Sequence, residues 1–402
     1  MSPLRRIWTL LPRSARREAL FSLTALLAPR IARPAPPPAL PVTVAGYFNA
    51  RTGLGAATRR LAAGLREQGI PVSEADLTGP LRQGPAGAPP AVPPMVPPGP
   101  GTLLVHVNGP MLPWALLALG RRAVAGKRVI GVWNWELPVL PPDWNRGLAA
   151  CHAVWVGTEF VAGACRRPDG PPVQVVPYPL PRPAPSALGR ADFGLPDGAF
   201  VTLAVFDATS SLARKNPLGA IEAHARAFGG DPGHILLLKT HGTAEAGPGW
   251  AEVAAAAAAR PNVRVMDSSL SRGDLWALMA AADVLLSLHR SEGFGFAIAE
   301  MMELGRPVVA TGWSGNTDFM QGPGCHPVGW RLVPARDPQG TYDMPGALWA
   351  EPDPDEAAAA LRRIAGDPAL RNPPPVRLAA PDYRAALGLA PDAPPASPRT
   401  PL

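Results

Sequence analysis

The chain is poor in cysteine and in charged and aromatic side chains, and it lacks long apolar runs. Its 402 residues include only three cysteines, Cys151, Cys165 and Cys325, which form no CxxC pair. A disulfide framework and a cysteine zinc site therefore have little support, and a reducing cytoplasm is the default location. No apolar run reaches the roughly 18 to 20 residues that span a bilayer, so no transmembrane segment is predicted.

Charge is sparse and scattered. Charged residues make up 17% of the chain and the formal net charge is +7, without a block of like charges. Nucleic-acid binding normally requires basic residues clustered on one face, so no nucleic-acid partner is predicted. Hydrophobic residues reach 47%, which is typical of a chain that folds around ordinary globular cores.

Much of the basic excess falls in residues 1–33, ahead of a proline-rich linker. Apolar residues recur there at helical spacing after Ser14, and Glu18 is the single acid. A targeting peptide is the least favoured interpretation, because Pro29 and Arg30 interrupt the apolar run and no A-x-A site follows. A helix packed on the protein body and an amphipathic helix on a membrane surface both stay open. We expect a cytoplasmic protein, with peripheral membrane contact as one use of this segment.

Proline-rich stretches and the alternation of strand and helix patterns divide the chain. "VTVAGYF" and "HILLLKT" read as buried strands, and Ser271 with Asp274 has the spacing of a helix N-cap. Strands alternating with helices predict an α/β fold of two doubly wound domains facing across a cleft. The predicted parts are a basic segment and linker (1–40), an acceptor-side domain (41–190), a donor-binding domain (198–366) and a partly disordered Pro-rich tail (367–402).

The segment "SEGFGFAIAE" (291–300) places Glu292 and Glu300 on either side of a glycine turn. The turn follows a predicted strand and precedes a helix that should begin near Phe296, the position where open α/β sheets bind ligands. Amides at 293–297 would point out of the helix N-terminus toward an anion such as a diphosphate. Carboxylates on both sides would accept hydrogen bonds from hydroxyls, which describes a nucleotide sugar. Alternatively, both glutamates are simply solvated or dipole-favoured helix residues.

This segment resembles the E-x7-E signature of retaining glycosyltransferases of family 4, which have the GT-B fold. "FDATSSLARKNPLGAIEAHARAF" is similar to the basic stretch of the family's donor domain, and "GVWNWELPVLPPDW" and "ATGWSGNTDFM" resemble segments of a bacterial branch. The likeness covers roughly residues 42–365. It implies transfer of a sugar from a nucleoside diphosphate to an acceptor hydroxyl with retention, in synthesis of a cell-surface polysaccharide or glycoconjugate.

The resemblance also implies roles for residues of the second half. Glu292 would contact the donor sugar, Glu300 the ribose diol, and Lys215 the departing diphosphate. One departure is Ser210, where the family commonly has an arginine, and Arg214 would supply the missing charge. The remaining donor-side candidates are the backbone of Gly293, Phe294 and Gly295, together with Asn316 and Thr317.

Candidates in the first half are weaker. Gly53 and Gly55 resemble the family's loop over the donor phosphates, although a lone GxG after a strand has little specificity. Many members of the family carry a histidine at the place where "NWE" stands here, so Asn134, Trp135 and Glu136 are acceptor-side candidates. Packing in the core is at least as good an interpretation of Trp135. His106 ends a predicted strand, where a buried, hydrogen-bonded core histidine is the better interpretation of that residue.

The predicted partners are a nucleotide sugar as donor substrate and a glycan or lipid-linked acceptor. No DxD motif adjoins the donor segment, so no metal and no other cofactor is predicted. Two alternatives keep the fold, namely a nucleotide-sugar epimerase and a non-catalytic module that binds a nucleotide sugar or glycan. An epimerase requires titratable acid and base groups beside the sugar, and few such candidates adjoin the motifs. Ser210 makes the non-catalytic module more credible.

Overall fold

A computed structural model describes residues 13–50, 52–83, 94–180, 182–184 and 186–390. Residues 1–12, residues 84–93 of a proline-rich stretch that the sequence predicts to be a surface loop (84–101), and residues 391–402 at the end of the predicted tail lie outside the described residues. The described chain forms two α/β domains joined near residue 180, as the alternation of the sequence predicts.

The N-terminal domain is built on a parallel six-stranded sheet. Its strands are β1 (Val42–Gly46), β2 (Val72–Asp76), β3 (Gly101–His106), β4 (Lys127–Trp133), β5 (Ala153–Val156) and β6 (Val173–Val175). The order β2-β1-β3-β4-β5-β6 reverses direction between β1 and β3, so the sheet is doubly wound. Strands β1, β3 and β4 are almost wholly buried, because helices cover both faces.

Helices of this domain flank the sheet. They are α1 (Arg13–Leu27), α2 (Gly53–Glu67), α3 (Leu112–Leu119), α4 (Arg121–Val124), α5 (Asn145–Ala149) and α6 (Glu159–Cys165). Helix α2 begins directly after the glycine-bearing loop, where the Thr52 side chain accepts a hydrogen bond from the Gly55 amide. This cap directs the first turn of α2 toward the cleft.

The C-terminal domain repeats the architecture. Its sheet contains β7 (Phe200–Val205), β8 (His234–Thr240), β9 (Val263–Asp267), β10 (Val284–Ser287), β11 (Val308–Thr311) and β12 (Cys325–Val328), in the order β12-β11-β10-β7-β8-β9. Its helices are α7 (Leu212–Lys215), α8 (Pro217–Phe228), α9 (Pro248–Ala258), α10 (Arg272–Ala281) and α11 (Phe296–Glu303). The predicted cap is confirmed, since Ser271 accepts a hydrogen bond from the Asp274 amide. The direction reverses between β7 and β10, which opens the cleft at their carboxyl ends.

The region after β12 departs from the expected organisation. Strands β13 (Trp330–Pro334) and β14 (Leu348–Pro352) form an antiparallel pair, followed by α12 (Pro354–Gly366). Tyr342, from the loop between the two strands, and Trp349, from β14, join the core of the N-terminal domain. The boundary at 198–366 therefore does not separate the two cores completely.

Part of the predicted tail is also ordered. Helix α13 (Tyr383–Leu387) returns to the N-terminal domain, where Tyr383 stacks on Trp155 with ring centroids 6.3 Å apart. The Gln68 side chain donates a hydrogen bond to the Pro381 carbonyl and accepts one from the Tyr383 amide, at the start of α13. This part of the predicted tail is a packed helix, because its apolar side chains cover the face of α2 and β5.

Helix α1 packs against α3 and places Glu18 beside Arg146. Its opposite side is apolar and solvent-facing, and the most exposed leucines are Leu23, Leu26 and Leu27, at 53%, 75% and 53%. Packing and an exposed apolar face therefore coexist on one helix. No helix in the described ranges has the length and apolarity to cross a membrane.

Candidate functional site

A cavity of about 830 Å³ lies between the two domains. The loops after β1 and β4 form its N-terminal wall, and the loops after β7 and β10 with the start of α11 form its C-terminal wall. The position predicted for a ligand, at the carboxyl ends of the parallel strands, is therefore an open cavity lined by both domains. Both Glu292 and Glu300 line it.

Glu292 lies in a cationic pocket beside the end of β10. Its Oε1 accepts a hydrogen bond from Lys215 Nζ and lies 3.3 Å from Arg214 Nη1. Burial by itself would raise the pKa of Glu292, but the charges of Lys215 and Arg214 outweigh burial and hold the pKa to about 2. This carboxylate is therefore ionised at any physiological pH and acts as a hydrogen-bond acceptor.

Arg214 is held rigidly, whereas Lys215 retains more freedom. The Arg214 guanidinium donates to the Ser291 carbonyl at 2.8 Å and to Ser210 Oγ at 3.1 Å, and it lies 5.3 Å from the centre of the Tyr342 ring. The side chain of Arg214 is 4% exposed and that of Lys215 is 21% exposed. Ser210 thus accepts a hydrogen bond from Arg214, the residue expected from the resemblance to supply the charge.

Glu300, one turn into α11, joins cations from both domains. Arg60 Nη2, from α2, and Arg272 Nη2, from α10, both donate to its Oε1, the latter at 2.9 Å. Among the described residues no hydrogen bond reaches Oε2. One oxygen of this buried carboxylate is therefore available to a hydroxyl from the cavity.

The turn before α11 fits an anion. Gly295 has φ +94° and caps the helix without a side-chain acceptor, so the first-turn amides are not occupied by a capping side chain. The positive φ of Gly295 would strain any residue with a side chain. Gly293 needs its small size, since a Cβ there would lie 2.7 Å from the Trp135 carbonyl oxygen.

Two predicted acceptor-side residues, Glu136 and Asn134, do line the cavity. Glu136 Oε2 accepts a 2.9 Å hydrogen bond from the Tyr342 hydroxyl, and the Glu136 carbonyl accepts one from Ser291. Asn134 bonds to the Tyr178 hydroxyl at 2.8 Å. Gly53 also lines the cavity and is exposed there.

Several predicted residues lie outside the cavity wall. His106 is wholly buried between Thr58 and Tyr178, and burial lowers its pKa to about 3, so it is the hydrogen-bonded core histidine. Trp135 packs on Trp144. Gly55 packs against the Ala50 carbonyl oxygen, 2.3 Å from where a Cβ would lie, so its glycine is required by helix packing rather than by a ligand.

The side chains of Asn316 and Thr317 also lie outside the cavity wall. The Asn316 side chain is fully buried, bonded to His289 Nε2 at 3.0 Å and to the Thr311 carbonyl at 3.0 Å. Thr317 donates to the Ser314 carbonyl at 2.7 Å. Both side chains hold the loop after β11 in shape, and neither lines the cavity.

Sequence reasoning missed Arg60, Arg272 and Tyr342. Arg60 had a readable signal, because it shares the buried face of α2 with Ala57, Leu61 and Gly64, where a charge is unexpected. Tyr342 had none, since its loop reaches the site from the far end of the chain. Within the described ranges no group of three His, Cys, Asp or Glu side chains is placed to hold a metal ion.

Comparisons with known proteins agree with this architecture. Residues 238–367 match the family model for glycosyl transferases group 1. No match was found among curated proteins. The fold is similar to HepE from Anabaena, solved with UDP and glucose, with a TM-score of 0.53 at 14% identity over 82% of this chain and 91% of that one. It is also similar to the E. coli trehalose-6-phosphate structure bound with UDP-2-fluoro glucose, with a TM-score of 0.54 at 12% identity over 82% and 93%.

A third comparison is weaker. The chain spans 51% of the length of the pneumococcal O-GlcNAc transferase GtfA, with 68% of this chain covered, 13% identity and a TM-score of 0.46. Two Rossmann-like domains across a cleft define the GT-B fold, and the family match in the donor domain supports a glycosyltransferase of that fold.

Proposed function

We propose that the protein is a retaining hexosyltransferase of glycosyltransferase family 4 that uses a nucleoside diphosphate sugar and no metal ion. One observation carries this proposal: Glu292 and Glu300 line a single cavity on either side of the amide end of α11, with Lys215 and Arg214 beside it. The cavity thus offers acceptors for hydroxyls at both ends and cationic groups in the middle, which matches a nucleotide sugar.

Each part of the donor has a counterpart. The diphosphate lies at the first turn of α11, within reach of Lys215. Glu300 Oε2 accepts a hydrogen bond from the ribose diol, and the ionised Glu292 accepts hydrogen bonds from hydroxyls of the sugar. HepE with UDP and the E. coli protein with UDP-2-fluoro glucose share the fold and carry such ligands, which supports this class of donor.

The reaction proceeds on one face of the sugar. The bond between the anomeric carbon and the diphosphate oxygen breaks, and the acceptor oxygen bonds to the same face of that carbon. The acceptor proton passes to an oxygen of the departing diphosphate. Lys215, Arg214 and the α11 amides stabilise the leaving charge, and losing one such group in other enzymes costs roughly 100- to 1,000-fold in kcat. Asn134 and Glu136 lie on the acceptor side, where a glycan or lipid-linked hydroxyl enters.

Incubation with UDP-, GDP- and ADP-sugars, with and without EDTA, tests the proposal. We expect released nucleoside diphosphate in both conditions, and NMR of the product should give the anomeric configuration of the donor. An altered sugar still attached to its nucleotide indicates an epimerase, and binding without turnover indicates a non-catalytic module. Lys215→Ala should lower kcat by about 100-fold, whereas Arg226→Ala, which removes a surface cation paired with Glu222, should not.

Peripheral membrane contact through residues 1–33, at the cytoplasmic face, belongs to the same proposal. The exposed Leu23, Leu26 and Leu27 of α1 support it, because burying apolar surface in an apolar layer contributes about 25 cal/mol per Å². Sedimentation with anionic lipid vesicles measures the contact. Leu23→Ser with Leu26→Ser should release the protein, and equal sedimentation of this variant would contradict a role for α1.

A further inference from the structure

Arg60 reaches across the cleft from the N-terminal domain. It lies on α2, is 6% exposed, and donates through Nη2 to Glu300 of α11. The two residues are 240 positions apart in sequence, and each also lines the central cavity. This ion pair therefore ties a residue of one domain to the candidate ligand site of the other.

The cationic charge around Glu300 exceeds its own negative charge. Arg272 bonds to the same oxygen as Arg60, so two guanidiniums share one carboxylate. Arg60 Nη1 is buried and has no hydrogen-bond partner within the described part of the chain. Burial lowers the pKa of Arg60, which means that its surroundings disfavour the charge as they stand. A buried donor without a partner at the wall of a cavity calls for an acceptor from within that cavity.

The position of the free donor specifies the kind of acceptor. The Arg60 guanidinium lies 4.2 Å from the centre of the Phe296 ring, and Phe296 is the first residue of α11. The guanidinium thus packs on the side chain of the first residue of α11, the helix at whose amide end the diphosphate is proposed to bind. An anionic oxygen would satisfy both the unpaired N–H and the surplus positive charge, whereas a neutral hydroxyl would satisfy only the first.

We propose that Arg60 is a donor-binding residue whose Nη1 donates to a phosphate oxygen of the nucleoside diphosphate while Nη2 stays on Glu300. This assignment rests on the proposed function. It adds a cation from α2 to the phosphate-binding groups of the C-terminal domain, so the donor contacts both domains. Donor binding then favours the closed cleft through Arg60.

The experiment compares two ligands that differ only in the phosphates. Affinities for a nucleoside diphosphate and for its nucleoside are measured by calorimetry or by competition, using UDP, GDP and ADP with uridine, guanosine and adenosine. Arg60→Ala should weaken diphosphate binding by roughly 10- to 100-fold and leave nucleoside binding within about twofold. Arg60→Lys keeps the charge but has a single nitrogen in place of Nη1 and Nη2. Its affinity for the diphosphate should lie between those of the wild type and Arg60→Ala. Arg66→Ala is the matched control, since Arg66 lies on α2 and pairs with Glu74 at the surface.

Three results would overturn the assignment. Equal loss for nucleoside and diphosphate means that Arg60 acts only by holding Glu300. Unchanged affinity for both ligands means that Nη1 makes no contact with them. If Arg60→Ala does not fold, the same comparison with Arg60→Lys decides, and an unchanged ratio of the two affinities refutes the contact. A wild-type protein that binds none of the diphosphates instead refutes the proposed function, before any variant is compared.

Discussion

Gly293→Ala is the substitution that most directly tests how the two domains meet. Gly293 lies in the turn before α11, its carbonyl accepts a 2.8 Å hydrogen bond from Thr158 Oγ1, and an added Cβ would lie 2.7 Å from the Trp135 carbonyl oxygen. Both Thr158 and Trp135 belong to the N-terminal domain. The new methyl group would therefore push the domains apart rather than disturb either core.

The expected magnitude follows from the contact. Ordinary contacts of a Cβ begin at 3.4 Å, so the backbones must separate by roughly half an ångström or more. Overpacking in a closed core costs about 1 to 3 kcal/mol, and an interface that can open should show the lower end, near 1 kcal/mol. The loss of activity should be larger than a stability change of this size suggests. The same displacement stretches two hydrogen bonds beside the site, from Thr158 to Gly293 and from Ser291 to the Glu136 carbonyl.

Thermal unfolding, small-angle scattering and nucleotide affinity together measure this effect. We expect a small decrease in Tm, a larger radius of gyration and a clear loss of affinity. Gly163→Ala is the control, because nothing lies within 4 Å of its added Cβ, and alanine inside α6 should stabilise by up to about 1 kcal/mol. A Gly293→Ala protein with wild-type scattering and affinity would refute the close approach of the domains.

Three further predictions concern the walls of the site and its surroundings. Gly53→Ala should leave Tm unchanged, since nothing lies within 4 Å of the new Cβ, but weaken nucleotide affinity if the donor approaches that backbone; equal affinity would contradict this. Asp337→Ala should cost about 1.5 to 3 kcal/mol in urea unfolding, because this buried carboxylate accepts bonds from Ser211 Oγ and the Tyr342 amide, and it should lower activity by freeing Tyr342. Burial lowers the pKa of His106 from 6.5 to about 3, so between these pH values the unfolded chain binds a proton that the folded chain does not. The free energy of unfolding should therefore decrease as the pH is lowered from 6.5 toward 3, by up to about 1.4 kcal/mol per pH unit. Unfolding of wild type and His106→Gln across pH 3 to 7 checks this, and identical slopes would contradict it.

The sequence predicted both sheets because parallel strands covered on both faces read as apolar runs. The predicted strand "HILLLKT" has the same first and last residues as β8, and Ser271 is the N-cap of α10 as predicted. Strand β2 was not predicted, because an edge strand with the sequence "VSEAD" has mostly half-exposed positions and no apolar run. The segment "WRLV" predicts a strand and corresponds to β13, whereas its antiparallel partner β14 was not predicted, although three of its five residues are buried.

The C-terminal half of the site was largely predictable, because a strand, a glycine turn and a helix are local in sequence. The residues that complete it are not local. Arg60 and Glu300 meet only after both domains have folded and closed on each other, and periodicity along α2 indicates a buried face without indicating what buries it. The side chain of Asn316 was assigned to the ligand from sequence, but it bonds within its own loop. A polar side chain after a strand can bind a ligand or stabilise a loop, and the local sequence does not distinguish the two.

Ser210 stands where the family that this chain resembles commonly has an arginine, and its hydroxyl contacts the neighbouring Arg214. A serine at this position gives Arg214 a hydrogen-bond acceptor, and the Ser291 carbonyl and the Tyr342 ring fix the rest of the guanidinium. The charge therefore reaches Glu292 from a buried, immobile group, with Lys215 as the adaptable one. Because a fixed charge need not reorganise when a leaving group becomes more negative, it stabilises that change at less cost than a mobile one does. A cation therefore lies beside Glu292 without an arginine at position 210.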